Sequence, residues 1–310
     1  MKLLTLILLL CFTTPLVAQD FVSLLVPTKE RTRVELNGLI SSSADKNPET
    51  KTAVSERSAG VESKLYGSGI HHFSMGARWK TLDFAENVNG LRDYNSFSGN
   101  FTYRRDLPQN NFWSLAGSYG TASDRPFKDG RDATLGMTYI QKMNARWIFL
   151  MNYSNNRVFL NNVPLPGFAY LHTMSRERTL LFGFPFLFWN EQLNNDFKLR
   201  VLTILPFIYN VRLLYRTSEK AELYLGLEQS AQVFFDSRRE ADEDRIFWTE
   251  KKIGLGLESE ISKQIKYDFQ SGFAFDRTLY QAESFGSSEK DSLLHMGSAL
   301  YVSLVLKIGF

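Results

Sequence analysis

Cysteine is almost absent from this chain: Cys11 is the only one in 310 residues. It sits in an apolar stretch at the N-terminus, behind Leu10, where a lipoprotein-type signal would have a small residue. Export with removal of that stretch leaves no cysteine, which excludes disulfide bracing and thiol catalysis. Long apolar runs are also missing. The densest, Leu180 to Trp189, is broken by Gly183 and Pro185, and nothing reaches the roughly 18 residues of a membrane-crossing helix. Net charge is only +3 and is spread along the chain, which argues for neither a nucleic-acid partner nor a basic membrane-surface patch. No Walker-type, His-Glu-x-x-His, calcium-loop or dinucleotide pattern occurs, so no cofactor is expected.

The N-terminus reads as a secretory signal peptide. Met1 and Lys2 precede an apolar core from Leu3 to Phe12, then Thr13, Thr14, Pro15 and the small-residue approach Leu16, Val17, Ala18. The expected organisation is residues 1–18 as signal peptide and 19–310 as a single domain.

Aromatics are abundant, with 25 Phe, 13 Tyr and 5 Trp, yet mean hydropathy is below zero. That combination fits strands that turn one face to lipid and the other to water. Period-two segments recur. Phe97, Gly99, Phe101 and Tyr103 alternate with Ser98, Asn100, Thr102 and Arg104, and Leu223, Leu225 and Leu227 with Glu222, Tyr224, Gly226 and Glu228. Lone charges opposite continuous apolar faces favour a wet lumen over a dry sandwich.

The clearest segment is the last. From Ser292 onward the alternate positions Met296, Ser298, Leu300, Val302, Leu304, Leu306, Ile308 and Phe310 form one face, longer than an ordinary soluble strand. This ending resembles the C-terminal signal of Gram-negative outer-membrane β-barrels. The resemblance makes Leu304, Leu306, Ile308 and Phe310 the assembly signal, and implies the bacterial outer membrane as destination. It also implies the barrel-assembly machinery, outer-membrane lipid and lipopolysaccharide as partners. Gly-Phe-Pro-Phe at 183–186, with Leu205-Pro206 and Leu214-Tyr215, looks like a family of outer-membrane barrels of unknown function, which implies no reaction and no ligand.

Short turns at Leu107 to Asn110, Lys142 to Ala145, Thr217 to Lys220 and Ser262 to Gln264 alternate with longer loops near 121–131, 156–177, 236–245 and 277–292. Short turns belong on the periplasmic side and long loops outside. The tight reversal at Pro206 breaks that rule; the other reading is that Leu199 to Tyr215 is one bent strand. Twelve strands follow Ile70, and two more, Arg33 to Ser42 and around Gly60 to Tyr66, precede them. The predicted fold is an all-β transmembrane antiparallel up-and-down barrel of 14 strands, with 12 as the alternative. Pro185 is expected to mark a bulge or a rim position within one strand.

Histidines give no site. Adjacent His71 and His72 point to opposite faces of a strand. His172 and His295 fall in or beside loops with no signature of a nucleophile and base. The chain is expected not to be an enzyme. The residues that parity places on the lumen side are Arg78, Arg104, Arg146, Arg200, Arg212, Glu222, Glu228, Glu258, Lys266 and Asp268. They either satisfy one another in a filled interior or set the field of a pore. Loop 156–177, with Asn161, Asn162, Pro164, Pro166, Gly167 and Phe168, is either an inward constriction or a surface loop packed on the rim. Arg238 and Arg239 lie in a solvated external loop or meet lipopolysaccharide phosphates. A small passive channel or transporter is the first functional expectation, a non-transporting structural or accessory barrel the second, and a membrane enzyme the third.

Overall fold

Strict two-residue alternation over most of the chain leaves the backbone one economical solution in lipid, a sheet closed on itself with every ladder paired. The computed structural model describes residues 32–43, 53–85, 92–128, 130–144, 146–156, 163–173, 178–204, 208–239, 241–285 and 291–310. The expected signal peptide lies outside the described residues.

Sixteen antiparallel strands form the ring. They are β1 (Thr32–Ser43), β2 (Val54–Ser68), β3 (His71–Phe84), β4 (Tyr94–Leu107), β5 (Asn111–Ser123), β6 (Ala133–Met143), β7 (Trp147–Ser154) and β8 (Leu165–Thr173). The ring continues through β9 (Arg178–Phe184), β10 (Phe186–Gln192), β11 (Phe197–Ile204), β12 (Ile208–Ser218), β13 (Ala221–Phe234), β14 (Arg245–Ser262) and β15 (Ile265–Ala282). The last, β16, runs in two segments, Asp291–Met296 and Ala299–Gly309, both paired to β15. Its second segment also pairs with β1, from Arg33 against Gly309 to Ser43 against Ala299, which closes the barrel. Short connections such as 69–70, 219–220 and 263–264 share one end with residues 32 and 310; that end is periplasmic by the loop asymmetry of such barrels.

The count corrects the expectation of 14 or 12 strands, and two segments account for the difference. Of the two expectations for Pro185, the bulge fails and the rim position holds: it is the reversal between β9 and β10, where Leu187 pairs with Phe182 and Phe188 with Leu181. A residue without an N–H suits a bend, where no ladder bond is lost. The segment read as loop 156–177 contains β8, paired to β7 and β9. Pro166 is tolerated there because β9 ends at the Phe168–Phe184 pair, so Pro166 faces only β7. Asn161 and Asn162 lie outside the described residues. Likewise β11 and β12 are two strands paired from Phe197–Tyr215 to Ile204–Ile208, not one bent strand.

β15 also runs further than its sequence pattern. Asp276 has φ +49°, and the register shifts opposite Thr249 and Lys251. The bulge resets the alternation, so Ala274 below it and Arg277 above it are both buried.

Outward side chains make an apolar belt: Leu36, Ile40, Trp79, Phe97, Leu225, Leu255, Phe273 and Leu304 are all exposed large hydrophobics. So wide a greasy surface is foreign to a soluble monomer and matches the lipid-facing band of a membrane barrel. The expected assembly-signal residues lie on this face, with Leu304 and Phe310 exposed and Leu306 and Ile308 half-buried. Leu255, 67 % exposed in mid-strand, gives a direct test. Leu255→Arg is expected to lower the stability of the barrel in lipid vesicles by about 2–4 kcal/mol, read from urea unfolding followed by tryptophan fluorescence.

The interior is not an open cylinder. Ser123 at the top of β5 forms a parallel bridge with Phe235, just past β13, and Phe235 N–H donates to the Ala122 carbonyl at 2.8 Å. In a ring of sixteen, β5 and β13 are diametrically opposed, so their contact divides the extracellular end into two lobes. Each lobe is walled by about eight strands, a girth that side chains alone can fill. One is packed with Leu181, Phe186, Phe188, Ile204 and Ile208, a cluster that runs down the β5 to β12 side as far as Phe112 beside the periplasmic turn; the other is packed with Val54, Leu82, Tyr94, Phe234, Ile246 and Trp248.

Candidate functional site

Below the apolar packing, the lumen of β11 to β16 carries charge. Even-numbered positions of β11, β12, β13 and β14 face inward, which brings Arg200, Arg212, Glu222 and Glu258 to one wall. Arg200 donates to both oxygens of Glu258 at 2.9 and 3.2 Å. Arg212, 3 % exposed, donates to Glu258 and to Asp268 at 2.9 Å, and its guanidinium lies 4.1 Å from the Tyr224 ring centre. The Tyr224 hydroxyl donates to the other Asp268 oxygen at 2.5 Å. Glycine makes room for this: a Cβ on Gly256 would lie 2.2 Å from the Tyr224 ring, and one on Gly254 2.4 Å from the Tyr301 hydroxyl.

Where the network meets the periplasmic turns it opens into a cavity of about 360 Å³. Six basic and five acidic side chains line it, among them Lys198, Arg200, Lys266 and Lys307 against Glu222, Glu258 and Asp268. Glu222 stands 3.8 Å from both Lys198 and Arg200, and Lys266 pairs with Glu260 at 3.4 Å.

The remaining sequence candidates scatter. Glu228 belongs to a second cluster higher in the lumen, 3.7 Å from Lys252. Arg104 sits on β4, bonded through Nε to Asp106 at 2.7 Å and stacked 3.9 Å over Phe112. Arg78 lies on β3 opposite Gly60. Arg146 is exposed in the turn between β6 and β7, donating to the Tyr170 hydroxyl at 3.0 Å. His72 bonds Asp106 at 3.0 Å, and His172 lies on β8, not in a loop, stacked against Tyr170.

Several buried charges escaped the sequence reading. Glu56 joins Lys80 at 3.0 Å and accepts from Gln232 across the lumen at 2.9 Å; it precedes the segment read as the second strand, whose alternation begins later. Lys252 joins Glu250 at 2.7 Å, and Arg277, beyond the β15 bulge, donates to Ser41 at 2.8 Å. Lys307, between the outward Leu306 and Ile308, is buried as well and lines the charged cavity.

The extracellular mouth is tied shut by loop 235–244. Arg239 donates to Asp132 at 2.7 Å and to the Arg131 carbonyl at 2.9 Å. Both ends of that ion pair are buried, at 4 % and 2 % side-chain exposure. Ser237 donates through N–H and hydroxyl to Asp124, each at 2.8 Å, while Arg92 pairs with the same carboxylate. Arg245 reaches the Asn155 carbonyl at 3.1 Å and lies 4.1 Å from the Phe235 ring centre. Arg239 is thus turned inward, whereas Arg238, bonded to Asp236, is 47 % exposed.

Burial pushes the Asp236 carboxyl up, but hydrogen bonds from Arg238 and the charges of Arg238 and Arg92 outweigh it and hold the group below the usual range. With its folded pKa below the unfolded value near 3.9, Asp236 stabilises the loop fully above about pH 4. That contribution is lost as the pH falls through the folded pKa. The mouth is therefore expected to stay equally closed from pH 7 to pH 5, measured as unchanged baseline conductance in a planar bilayer.

No protein-family model matches the chain, and no curated protein matches it in sequence. Similar solved structures include the COG4313 outer membrane channel from Pseudomonas putida F1, at 9 % identity and TM-score 0.37, over 91 % of this chain and 96 % of that one. The TodX deltaS2S3 mutant monoaromatic hydrocarbon channel matches at 9 % identity and TM-score 0.33, over 91 % of each chain. The translocator domain of the autotransporter NalP from Neisseria meningitidis matches at 12 % identity and TM-score 0.30, over 92 % of this chain and 90 % of that one. Its own closed antiparallel ring and apolar outer belt make the chain an outer-membrane-type β-barrel.

Proposed function

We propose that the protein is a passive outer-membrane channel for small solutes whose extracellular mouth is shut in this structure. The observation that carries this reading is the asymmetry of the lumen. A charged cavity opens among the periplasmic turns, while the far end is closed by one strand-to-strand contact and a loop. Barrels of 16 strands ordinarily leave an aqueous channel, and separating β5 from β13 would restore that girth. A second reading, a barrel that serves structure and transports nothing, is favoured by the apolar packing of the β5 to β12 lobe.

Ser123→Cys with Phe235→Cys separates the two, since Cys11 is the only native cysteine and the bridge partners are adjacent. In proteoliposomes the reduced double variant is expected to pass small solutes, to stop on oxidation and to resume on reduction. A folded barrel that passes nothing in either state would establish the structural reading instead.

A further inference from the structure

The wall of the ring is uneven in height. β9 and β10 have 7 residues each and β11 has 8, whereas β3 has 14 and β14 and β15 have 18 each. At about 3.3 Å per residue and a strand tilt of about 40°, the β9–β10 hairpin rises about 18 Å. The apolar band of an outer-membrane barrel is about 25 Å tall. This side is therefore too low to cross it, while β3, at about 35 Å by the same measure, has length to spare.

Side chains mark the edges of both faces. The low face starts at its periplasmic end with Arg178, paired to Glu191, and with the ring pair Phe197–Tyr215; charge and aromatics of this kind sit at a membrane–water interface. From there the outward Phe182 and Phe184, each about half exposed, lead straight to the reversal at Pro185. On β3 the polar edges stand near opposite ends of the strand. His71 bonds the Tyr103 hydroxyl at 2.7 Å, and Asp83 accepts from Arg57 at 2.7 Å. A reversal held under hydrocarbon would keep turn carbonyls from water, which costs far more than drawing the bilayer in by a few ångströms. The membrane surface thus comes down to the rim.

We propose that the face of β9 to β11 is a docking surface for phospholipid with short acyl chains, which fit the thinned bilayer beside it. The inference concerns the lipid around the barrel and holds whether or not the lumen conducts.

Two native tryptophans report on the two faces. Trp189 stands on β10 between the buried, inward Phe188 and Asn190, and its indole N–H donates to Glu191 at 2.9 Å, on the low face. Trp79 is exposed on β3. The full barrel is placed in vesicles of nitroxide-labelled phosphatidylcholine diluted with dimyristoleoyl- or dierucoylphosphatidylcholine, and fluorescence quenching is compared between wild type, Trp189→Phe and Trp79→Phe to isolate each reporter. The short-chain lipid is expected to relieve quenching of Trp189 at least about threefold better than the long-chain one, as a mismatch of several ångströms implies, with little difference at Trp79. Should Trp189→Phe fail to fold, as judged by heat-modifiable electrophoretic mobility, Leu187→Trp adds a reporter to the same face instead. Equal preferences at the two reporters, or a preference for the longer lipid at Trp189, would overturn the proposal. So would a Trp189 that no lipid quenches, because a second copy of the chain would then cover the face.

Discussion

If the barrel is the channel proposed above, Arg239→Ala is expected to turn rare, brief openings into a pore that stays open for most of a recording. Arg239 stands on the β13–β14 loop and Asp132 on the β5–β6 loop, so their ion pair ties together hairpins from opposite sides of the ring. Both side chains are almost wholly buried. Removing one member of such a pair costs about 3–5 kcal/mol, because the other charge is left buried without its partner. Asp132 regains water most directly if the two loops separate, so the cost falls on the closed mouth and not on the strand ladders below. A shift of about 3 kcal/mol changes the closed-to-open ratio by about a hundredfold. Arg131→Ala is the control: its side chain is 58 % exposed and its pair with Asp242 is long, at 3.7 Å, so little change is expected. Single-channel recording in planar bilayers, with heat-modifiable mobility as the check on folding, reads both. A folded Arg239→Ala barrel as silent as the wild type would remove the loop from any gating role.

The lipid-facing half of this fold was legible in the sequence because lipid imposes a strict alternation. Leu300, Val302 and Leu304, or Leu223, Leu225 and Leu227, must all be apolar, and the segments containing them became β16 and β13. Legibility failed where a strand is apolar on both faces or where the ladder is irregular. In β8 to β10 the inward Leu165, Leu181, Phe186 and Phe188 are as apolar as the outward Phe168, Phe182 and Phe184. No period marks a boundary there, and Pro185 looked like a flaw in one strand when it is the turn between two. The β15 bulge hid Arg277 in the same way, by exchanging the faces within one strand. For the candidate site, parity brought forward Arg200, Arg212, Glu222, Glu258 and Asp268. It said nothing about which of them meet, since Arg212 and Asp268 are separated by 56 positions in sequence and join only when β12 and β15 face a shared lumen. Parity assigned Arg146 a face, but the residue stands in a turn, which has none.

Arg212→Met is expected to be the most destabilising substitution in the charged lumen. Its guanidinium bridges Glu258 and Asp268 and covers the Tyr224 ring, while Lys307 faces the same two carboxylates as a further cation. Glu258 keeps its two bonds from Arg200, but Asp268, 8 % exposed at its side chain, keeps the Tyr224 hydroxyl as its hydrogen-bond donor. Removing one partner of a buried pair costs about 3–5 kcal/mol, and the charge of Lys307 on Asp268 sets the expected loss at the lower end of that range, read from urea midpoints at constant slope in lipid vesicles. If the penalty comes from the stranded charge and not from lost packing, neutralising that charge restores most of it. Arg212→Met combined with Asp268→Asn is then expected to be more stable than Arg212→Met alone, while Asp268→Asn alone is destabilising. That sign reversal is the signature of direct coupling in a double-mutant cycle. Simple additivity of the two losses would mean that the pair adds no stability of its own, and that the wall of β12 to β15 is held by its ladders alone.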